Sequence, residues 1–249
     1  MEKQSQNAAK GGIAITWLGQ AGFLVKNNSG FLFAIDVYLT DSCERIAGFK
    51  RLNAYSIKPE ELHPDLLLAS HNHPDHLDED AVPTIMSGAR TKFVGPTSTV
   101  EACLKLGVDK SRIHEIAKGQ KYIFGDSTVE AVYADHGDLA PDAIGFLIET
   151  GGTKIFFTGD TAYRPDKIAE AVAFAPDIII LPINGAYGNL NEEEAAKLAN
   201  DVHAKVAIPC HFWTFREHGG DPQKFADAMP KFAPECKPLF MRQGETASL

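Results

Sequence analysis

The hexapeptide His71-Asn72-His73-Pro74-Asp75-His76 places four side chains that can bind a metal ion within six residues. The whole chain of 249 residues has only nine histidines, so three of them beside an aspartate form a far denser group than chance would give. Imidazole and carboxylate together suit borderline divalent ions such as zinc, manganese or iron. The hexapeptide therefore predicts a metal site, because packing alone gives no reason for these side chains to crowd together.

The residues around the hexapeptide predict how it is presented. The apolar run from Asp65 to Ser70 is typical of a short buried strand, and the hexapeptide follows it directly. Side chains two apart in an extended segment project to the same side, so His71 and His73 can share one ion. Asp75 and His76 are expected to turn toward a neighbouring ion.

Three further candidate ligands follow predicted strands elsewhere in the chain, where open sheets present their functional loops. They are His136, Asp160 and His211. Taken one at a time, each has an ordinary explanation as a turn residue or a hydrogen-bonded core histidine. Their assignment as ligands depends on the hexapeptide and on resemblance to a known family. The remaining histidines that stand alone are expected to be surface or core residues: His63, His114, His203 and His218.

The order of the apolar runs predicts two mixed β-sheets covered by helices, an α/β architecture. Strands are expected at 13–18, 22–26, 31–36, 65–70, 92–95, 120–124, 128–134, 145–149, 154–158, 177–182 and 205–209. Helices are expected at 78–87, 98–106, 164–173 and 191–202, the last opened by a capping box of Asn191 and Glu194. The connection from Tyr38 to Leu62 is long enough to be a functional loop.

Composition limits the classes of protein to which the chain can belong. With 44% hydrophobic and 23% charged residues it is typical of a globular domain, and we expect one domain over 11–249 after a flexible tail at 1–10. The four cysteines, which lack any paired spacing, indicate reduced thiols and a cytoplasmic location. They are Cys43, Cys103, Cys210 and Cys236.

Charge and hydropathy limit the partners. A net charge of −9 argues against nucleic acid, and no apolar run is long enough to cross a membrane. A small anionic substrate remains compatible with this charge, because bound divalent cations would reverse the local field. The sequence leaves open whether the chain forms a homo-oligomer through an edge strand or a loop surface.

The combination of HxHxDH, a later single histidine, a Gly-Asp pair after a strand and a late histidine resembles the metallo-β-lactamase superfamily. That resemblance implies an αββα sandwich of two mixed sheets flanked by helices, with two divalent ions, zinc or manganese. It also implies the ligand assignment. The first ion would take His71, His73 and His136, the second Asp75, His76 and His211, and Asp160 would bridge them.

A narrower resemblance points to the L-ascorbate-6-phosphate lactonase group. It rests on the segments Thr16–Phe23, Asp36–Ser42, Gly48–Leu52, Asn184–Tyr187 and Ala204–His211, with Asp36-Val37-Tyr38 standing where Asp-Pro-Tyr is expected. The implied function is a lactonase acting on a small sugar-phosphate lactone. A hydroxide held by two metal ions would attack the carbonyl, since the ions lower the pKa of a shared water.

The resemblance also implies roles for individual side chains. Asp75 would orient the hydroxide and carry a proton to the leaving oxygen, which with the bridging Asp160 makes two catalytic carboxylates. The candidate substrate-binding residues are Lys50, Arg51, Arg164, Asn184 and Tyr187. Cys210 beside His211 is expected to be a buried thiol, because adjacent strand residues point to opposite faces.

Other functions remain open at this point. A phosphodiesterase of the same superfamily would use the same hydroxide on phosphorus. Thioester cleavage of the glyoxalase II kind fits less well, because that group carries an added helical region near its C-terminus. A di-iron oxidoreductase would usually have glutamate in place of His73. A non-catalytic binding protein would usually have lost some of the ligands.

Overall fold

The computed structural model describes residues 12–249, which form two compact units. One unit comprises the chain up to Ile116 together with Met241–Leu249, and the other comprises Ala117–Phe240. The predicted flexible tail at 1–10 lies outside the described residues. The prediction of a single domain over 11–249 stays a prediction.

The first unit is built on a mixed sheet of seven strands. Its strands are β1 (Ala14–Gly19), β2 (Gly22–Lys26), β3 (Leu32–Ile35), β4 (Leu66–Leu68), β5 (Lys92–Gly95), β6 (Ile113–Glu115) and β14 (Thr246–Ser248). The order across the sheet is β14-β1-β2-β3-β4-β5-β6, antiparallel as far as β3 and parallel from β3 to β6. β4 is buried at every position, which explains its continuous run of leucines.

The second unit is built on another mixed sheet of seven strands. These are β7 (Lys121–Phe124), β8 (Ser127–Tyr133), β9 (Ile144–Thr150), β10 (Thr153–Phe157), β11 (Ile178–Pro182), β12 (Val206–Cys210) and β13 (Lys237–Pro238). The order is β13-β12-β11-β10-β9-β8-β7, antiparallel from β7 to β10 and parallel from β10 to β13. The three isoleucines of β11 are buried, as the centre of a parallel segment requires.

Six α-helices accompany the two sheets within the described part of the chain. The first unit has α1 (Ser42–Ala47), α2 (Val82–Ile85) and α3 (Thr97–Lys105), and the second has α4 (Ala169–Phe174), α5 (Glu192–Asp201) and α6 (Pro222–Phe232). Short 3-10 turns lie at Pro59–Glu61, Lys110–Arg112, Gly137–Leu139 and Pro165–Lys167. None of the helices described is long and apolar enough to span a membrane.

The two mixed sheets with accompanying helices confirm the predicted architecture, and three elements differ from their predicted form. The helix expected at 78–87 shortens to α2, which has a proline in its first turn, and the Asp78 side chain accepts hydrogen bonds from the amides of Leu39 and Ala81. The helix expected at 164–173 splits into a 3-10 turn and α4. The connection from Tyr38 to Leu62 contains α1, which ends at Gly48 in the left-handed conformation.

Each predicted ligand lies just beyond the end of a strand. The hexapeptide follows β4, and in the second unit His136, Asp160 and His211 follow β8, β10 and β12. The sheets therefore deliver the candidate ligands in two groups, one in each unit.

Candidate metal centre

The first unit brings together the side chains of His71, His73, Asp75 and His76, which we call the hexapeptide cluster. Nε2 of His71 lies 2.9 Å from Nδ1 of His73, and the ring centres of His71 and His76 are 4.1 Å apart. His71 and His76 are buried, and His73 and Asp75 reach the edge of the buried region. His71 and His73 are therefore brought together, although the segment that carries them forms bends and turns and not the extended chain that was expected.

A buried carboxylate, that of Asp36, organises the hexapeptide cluster. Asp36 follows β3, and its oxygens accept hydrogen bonds from the Ser70 amide at 2.7 Å and the Ser70 hydroxyl at 2.5 Å. Nδ1 of His76 lies 2.6 Å from the same oxygen that the hydroxyl contacts. Burial raises the pKa of Asp36, and the neighbouring His76 and Ser70 oppose that rise.

These hydrogen bonds determine the tautomers of two histidines. Because the carboxylate only accepts, His76 donates through Nδ1 and carries its lone pair on Nε2. The single proton of the Ser70 hydroxyl goes to Asp36, so Nδ1 of His71, 3.0 Å away, must donate to that hydroxyl oxygen. His71 therefore also carries its lone pair on Nε2. A carboxylate behind the imidazole is the usual support of a metal-binding histidine.

Asp75 is held by a glutamine from the turn between β1 and β2. Nε2 of Gln20 donates to Oδ2 of Asp75 at 2.8 Å, and the same oxygen lies 3.7 Å from Nε2 of His76. Gln20 is buried and has a left-handed backbone with φ of 51°, a conformation that costs energy for residues other than glycine. Positive φ is common in tight hairpin turns, and here it places the Gln20 side chain against Asp75.

The start of the long connection after β3 is fastened to the residues that follow the hexapeptide. The buried carboxylate of Asp78 accepts hydrogen bonds from the amides of Leu39 and Thr40, each at 2.8 Å, and from the Thr40 hydroxyl at 2.7 Å. The Ser42 hydroxyl donates to the Pro74 carbonyl at 3.4 Å. The connection is therefore an ordered wall beside the hexapeptide cluster.

The second unit brings His136, Asp160 and His211 together, and we call this group the Asp160 cluster. Oδ2 of Asp160 lies 3.2 Å from Nε2 of His211 and 3.8 Å from Nε2 of His136. All three side chains are buried. His211 has a left-handed backbone with φ of 62°, which turns it out of the line of β12.

The spacing within the Asp160 cluster is compatible with a shared metal ion. Two ligand atoms about 2.1 Å from a tetrahedral zinc ion are about 3.4 Å apart. The separations of 3.2 and 3.8 Å lie on either side of that value; the first is at the upper limit of a hydrogen bond and the second is beyond it. Imidazole nitrogen beside carboxylate oxygen also suits zinc or manganese, so the residues present fit such ions.

Two loops hold the Asp160 cluster in place. The amide of Asp135 donates to the Thr161 hydroxyl oxygen at 2.9 Å, and the Ala162 amide donates to the Asp135 carbonyl at 2.8 Å. Arg164 adds an ion pair to the Asp135 carboxylate. The loop that carries His136 is thus fastened to the loop that carries Asp160.

His218 lies against a predicted ligand, although the sequence placed it among the ordinary histidines. The His218 ring stacks on the His211 ring, with ring centres 4.8 Å apart and planes at 9° to each other. The centre of the Tyr187 ring lies 5.3 Å from the centre of the His218 ring. A Cβ added to Gly219 would lie 2.7 Å from the Asn184 carbonyl oxygen, so glycine allows this segment to pass close by. No spacing in the sequence signalled the contact, because His218 is in a loop.

The five predicted substrate-binding residues have varied surroundings. Lys50 is exposed, whereas the Arg51 guanidinium donates to the carbonyls of Thr40 at 3.1 Å and Asn53 at 2.7 Å. Arg164 pairs with two carboxylates, those of Asp135 and Asp166. In the second unit, Asn184 is buried and Tyr187 is 45% exposed with a left-handed φ of 56°.

Comparison with known proteins identifies the family to which the chain belongs. Residues 14–211 match the model of the beta-lactamase superfamily domain, which covers most of the chain. The chain belongs to the beta-lactamase superfamily. The predicted membership, which rested on the hexapeptide together with His136, the Gly159-Asp160 pair and His211, is confirmed.

Relatives within the beta-lactamase superfamily support a hydrolase. A UPF0173 metal-dependent hydrolase from Carboxydothermus hydrogenoformans is 31% identical over 86% of this chain and 90% of its own length. Among solved structures, the metallo hydrolase Igni18 from Ignicoccus hospitalis has a TM-score of 0.72 at 22% identity and covers 95% of this chain and 97% of its own. A possible metal-dependent hydrolase from Veillonella parvula has a TM-score of 0.78 at 18% identity, over 95% and 99%.

The two sheets with their helices are thus those of the metallo-β-lactamase fold, and the protein is a metal-dependent hydrolase of that superfamily. The sequence did not indicate three residues that support the candidate ligands: Asp36, Gln20 and Asn189, whose side-chain amide donates to Asp160. Asp36 and Gln20 stand in segments that carry the narrower family resemblance, yet nothing in those segments showed which ligand each would contact.

Proposed function

We propose that this hydrolase uses two divalent ions, zinc or manganese, held by the hexapeptide cluster and the Asp160 cluster, to open a small anionic lactone. His71, His73 and His136 would hold one ion, Asp75, His76 and His211 the other, and Asp160 would bridge them. The observation that carries the proposal is the relay from Asp36, which leaves Nε2 of both His71 and His76 with a lone pair for a metal ion.

Bound ions of this kind would lower the pKa of a water molecule and polarise the lactone carbonyl. The side chains supply the remaining functions. Asp75, whose Oδ2 is oriented by Gln20, would accept a proton from the attacking water and return it to the leaving oxygen. The buried surroundings of the ligands would strengthen these electrostatic interactions by keeping bulk water away.

A phosphorylated sugar lactone is the substrate that the surrounding side chains favour. Arg51 donates to carbonyl oxygens, which leave its positive charge available to an anion, whereas the charge of Arg164 is matched by two carboxylates. We therefore rank Arg51 and Lys50 before Arg164 as phosphate anchors. Among residues 12–249, no donor is within hydrogen-bonding distance of the buried Asn184 Oδ1, so this oxygen is suited to accept from a substrate hydroxyl.

The test is a screen of the metal-reconstituted protein. Protein stripped with a chelator and reloaded with zinc or manganese should bind two ions per chain by elemental analysis. It should then hydrolyse phosphorylated lactones faster than the same lactones without phosphate, and faster than phosphodiesters or thioesters. A preference for phosphodiesters would replace the lactonase proposal with the runner-up. Iron content with NADH-driven oxygen consumption would point to an oxidoreductase.

The Asp160→Ala variant examines the bridging role. We expect it to lose hydrolysis by several orders of magnitude and to bind less metal, while circular dichroism shows an unchanged fold. Asp227→Ala is the matched control, because Asp227 is exposed on α6. Wild-type activity in Asp160→Ala would exclude a bridging role, and a wild-type protein without stoichiometric metal would refute the whole proposal.

A further inference from the structure

Asp160 receives a hydrogen bond from a buried amide that belongs to a different loop. Nδ2 of Asn189 donates to Oδ2 of Asp160 at 2.7 Å, and Asn189 is only 6% exposed. The two ends of an asparagine amide look alike, but a carboxylate only accepts, so the NH₂ group must be the end that faces Asp160. The contact spans 29 positions in the sequence.

The oxygen of Asp160 that Asn189 contacts is also the one that lies beside the two imidazole nitrogens of the cluster. Oδ2 of Asp160 is also the atom that lies 3.2 Å from Nε2 of His211 and 3.8 Å from Nε2 of His136. A carboxylate can rotate about its terminal bond, because that torsion is broad. A donor on the oxygen beside the two imidazole nitrogens therefore restrains the rotation of the carboxylate and keeps one of its two equivalent oxygens turned toward them.

The loop that presents Asn189 is itself fastened to the Asp160 loop. The amide of Leu190 donates to the Thr161 carbonyl at 2.9 Å, and the amide of Gly185 donates to the Leu190 carbonyl at 2.9 Å. The Asn189 amide donates to the Ala186 carbonyl at 3.0 Å. The donor is thus held at a defined place, which is what a supporting side chain needs in order to orient a ligand.

Packing alone does not account for an asparagine at position 189, because burying its side-chain oxygen costs free energy. Within the described chain, no donor lies within hydrogen-bonding distance of its buried Oδ1. A buried acceptor without a donor costs the free energy of its lost hydration, and an apolar side chain of similar size would avoid that cost. The donor end of Asn189 is therefore the reason that an amide, and not a leucine, suits this position.

We propose that Asn189 is a positioning residue for the metal centre, which fixes the rotation of the Asp160 carboxylate so that one of its oxygens stays turned toward the Nε2 atoms of His136 and His211. The inference rests on the proposed function, since it takes Asp160 as the bridging ligand. Asn189 itself does not touch the ions or the substrate. It acts through Asp160, in the way that outer hydrogen-bond partners commonly tune metal affinity.

The experiment compares Asn189→Leu and Asn189→Asp with a matched control, Asn200→Leu. Leucine removes the donor at similar volume, and aspartate sets a second carboxylate against Asp160. Asn200 is exposed near the end of α5, so its replacement leaves the Asp160 cluster intact. Metal dissociation constants are measured by competition with a chromophoric chelator, and the environment of the ions by the visible spectrum of the cobalt-loaded protein.

We expect Asn189→Leu to bind metal about 10- to 100-fold more weakly than wild type and to alter the cobalt spectrum. Asn189→Asp should lose more affinity, because two carboxylates face each other. Far-UV circular dichroism of the metal-free variants should match wild type, and Asn200→Leu should match it in every measurement.

The two proposals fail in distinguishable ways. Wild-type protein that binds no metal refutes the proposed function. Wild-type protein that binds metal, together with an Asn189→Leu variant of equal affinity and identical cobalt spectrum, overturns the role of Asn189 alone. A metal-free Asn189→Leu variant that has lost its secondary structure, while Asn189→Asp keeps full metal affinity, would also overturn it.

Discussion

The aspartate carboxylates of this protein differ in the partners that they bind. Asp36 determines the tautomers of two histidines, and Asp78, whose side chain is fully buried, receives amide and hydroxyl donors from the start of the long connection. Asp80, two residues further on, pairs with Arg45 on the surface instead. We expect the buried carboxylate of Asp78 to contribute more to stability than the exposed carboxylate of Asp80.

The Asp78→Ala substitution should therefore lower the free energy of unfolding by about 3 kcal/mol or more, because it leaves several buried donors without an acceptor. Urea denaturation measures the change. Asp80→Ala is the control and should change stability little, since exposed ion pairs are screened by water. Equal effects of the two substitutions would contradict the importance of burial here.

At the scale of elements, α5 shows how a local signal in the sequence supports the site. The predicted capping box is confirmed: Oδ1 of Asn191 accepts from the amides of Glu193 and Glu194, and the Glu194 carboxylate accepts from the Asn191 amide. The loop that carries Asn189 ends at this cap. The start of α5 therefore anchors the segment that contacts Asp160.

Replacing the cap, Asn191→Ala, should cost about 1 kcal/mol of folding stability, because two helix amides lose their acceptor. Thermal or urea unfolding checks the value. In the control, Asn200→Ala near the other end of α5, stability should stay equal or rise slightly, since alanine favours helix. A stability loss in Asn200→Ala as large as in Asn191→Ala would mean that the cap has no special role.

At the scale of the whole molecule, both units enclose their thiols. Cys43 and Cys103 in the first unit and Cys210 and Cys236 in the second are all buried, as was predicted for Cys210. Burial raises the pKa of Cys103 to about 12 and that of Cys236 to about 11, and it raises the pKa of Cys43 further. Thiolate is the reactive form, so burial and a raised pKa both protect these side chains.

We therefore expect the native protein at pH 8 to react slowly with an aromatic disulfide reagent and to release four equivalents of chromophore only after denaturation. Absorbance over time measures both quantities. Rapid labelling of one thiol in the native state would contradict this expectation. Mass mapping of the labelled peptide would then identify the cysteine, and so the unit, that opens readily.

Parts of the fold that depend on distant partners escaped prediction. β14 pairs with β1, although the two strands lie near opposite ends of the sequence. β6 forms the other edge of the first sheet with only three residues. α6 was missed although Asp221 caps it and Pro222 occupies its first position, a favourable start that the neighbouring Gly219 and Gly220 obscured. Short edge strands have too few residues for a period to appear.

The sequence by itself determined which residue types gather at the site, because the hexapeptide concentrates its donors within six positions and strand ends carry the others. It also determined the two mixed sheets, through apolar runs of strand length. Only the tertiary structure decided how each of these side chains is oriented and which atom its neighbours leave available. That choice depends on Asp36 lying 40 positions from His76 and on Asn189 lying 29 positions from Asp160, and no local pattern encodes such pairs.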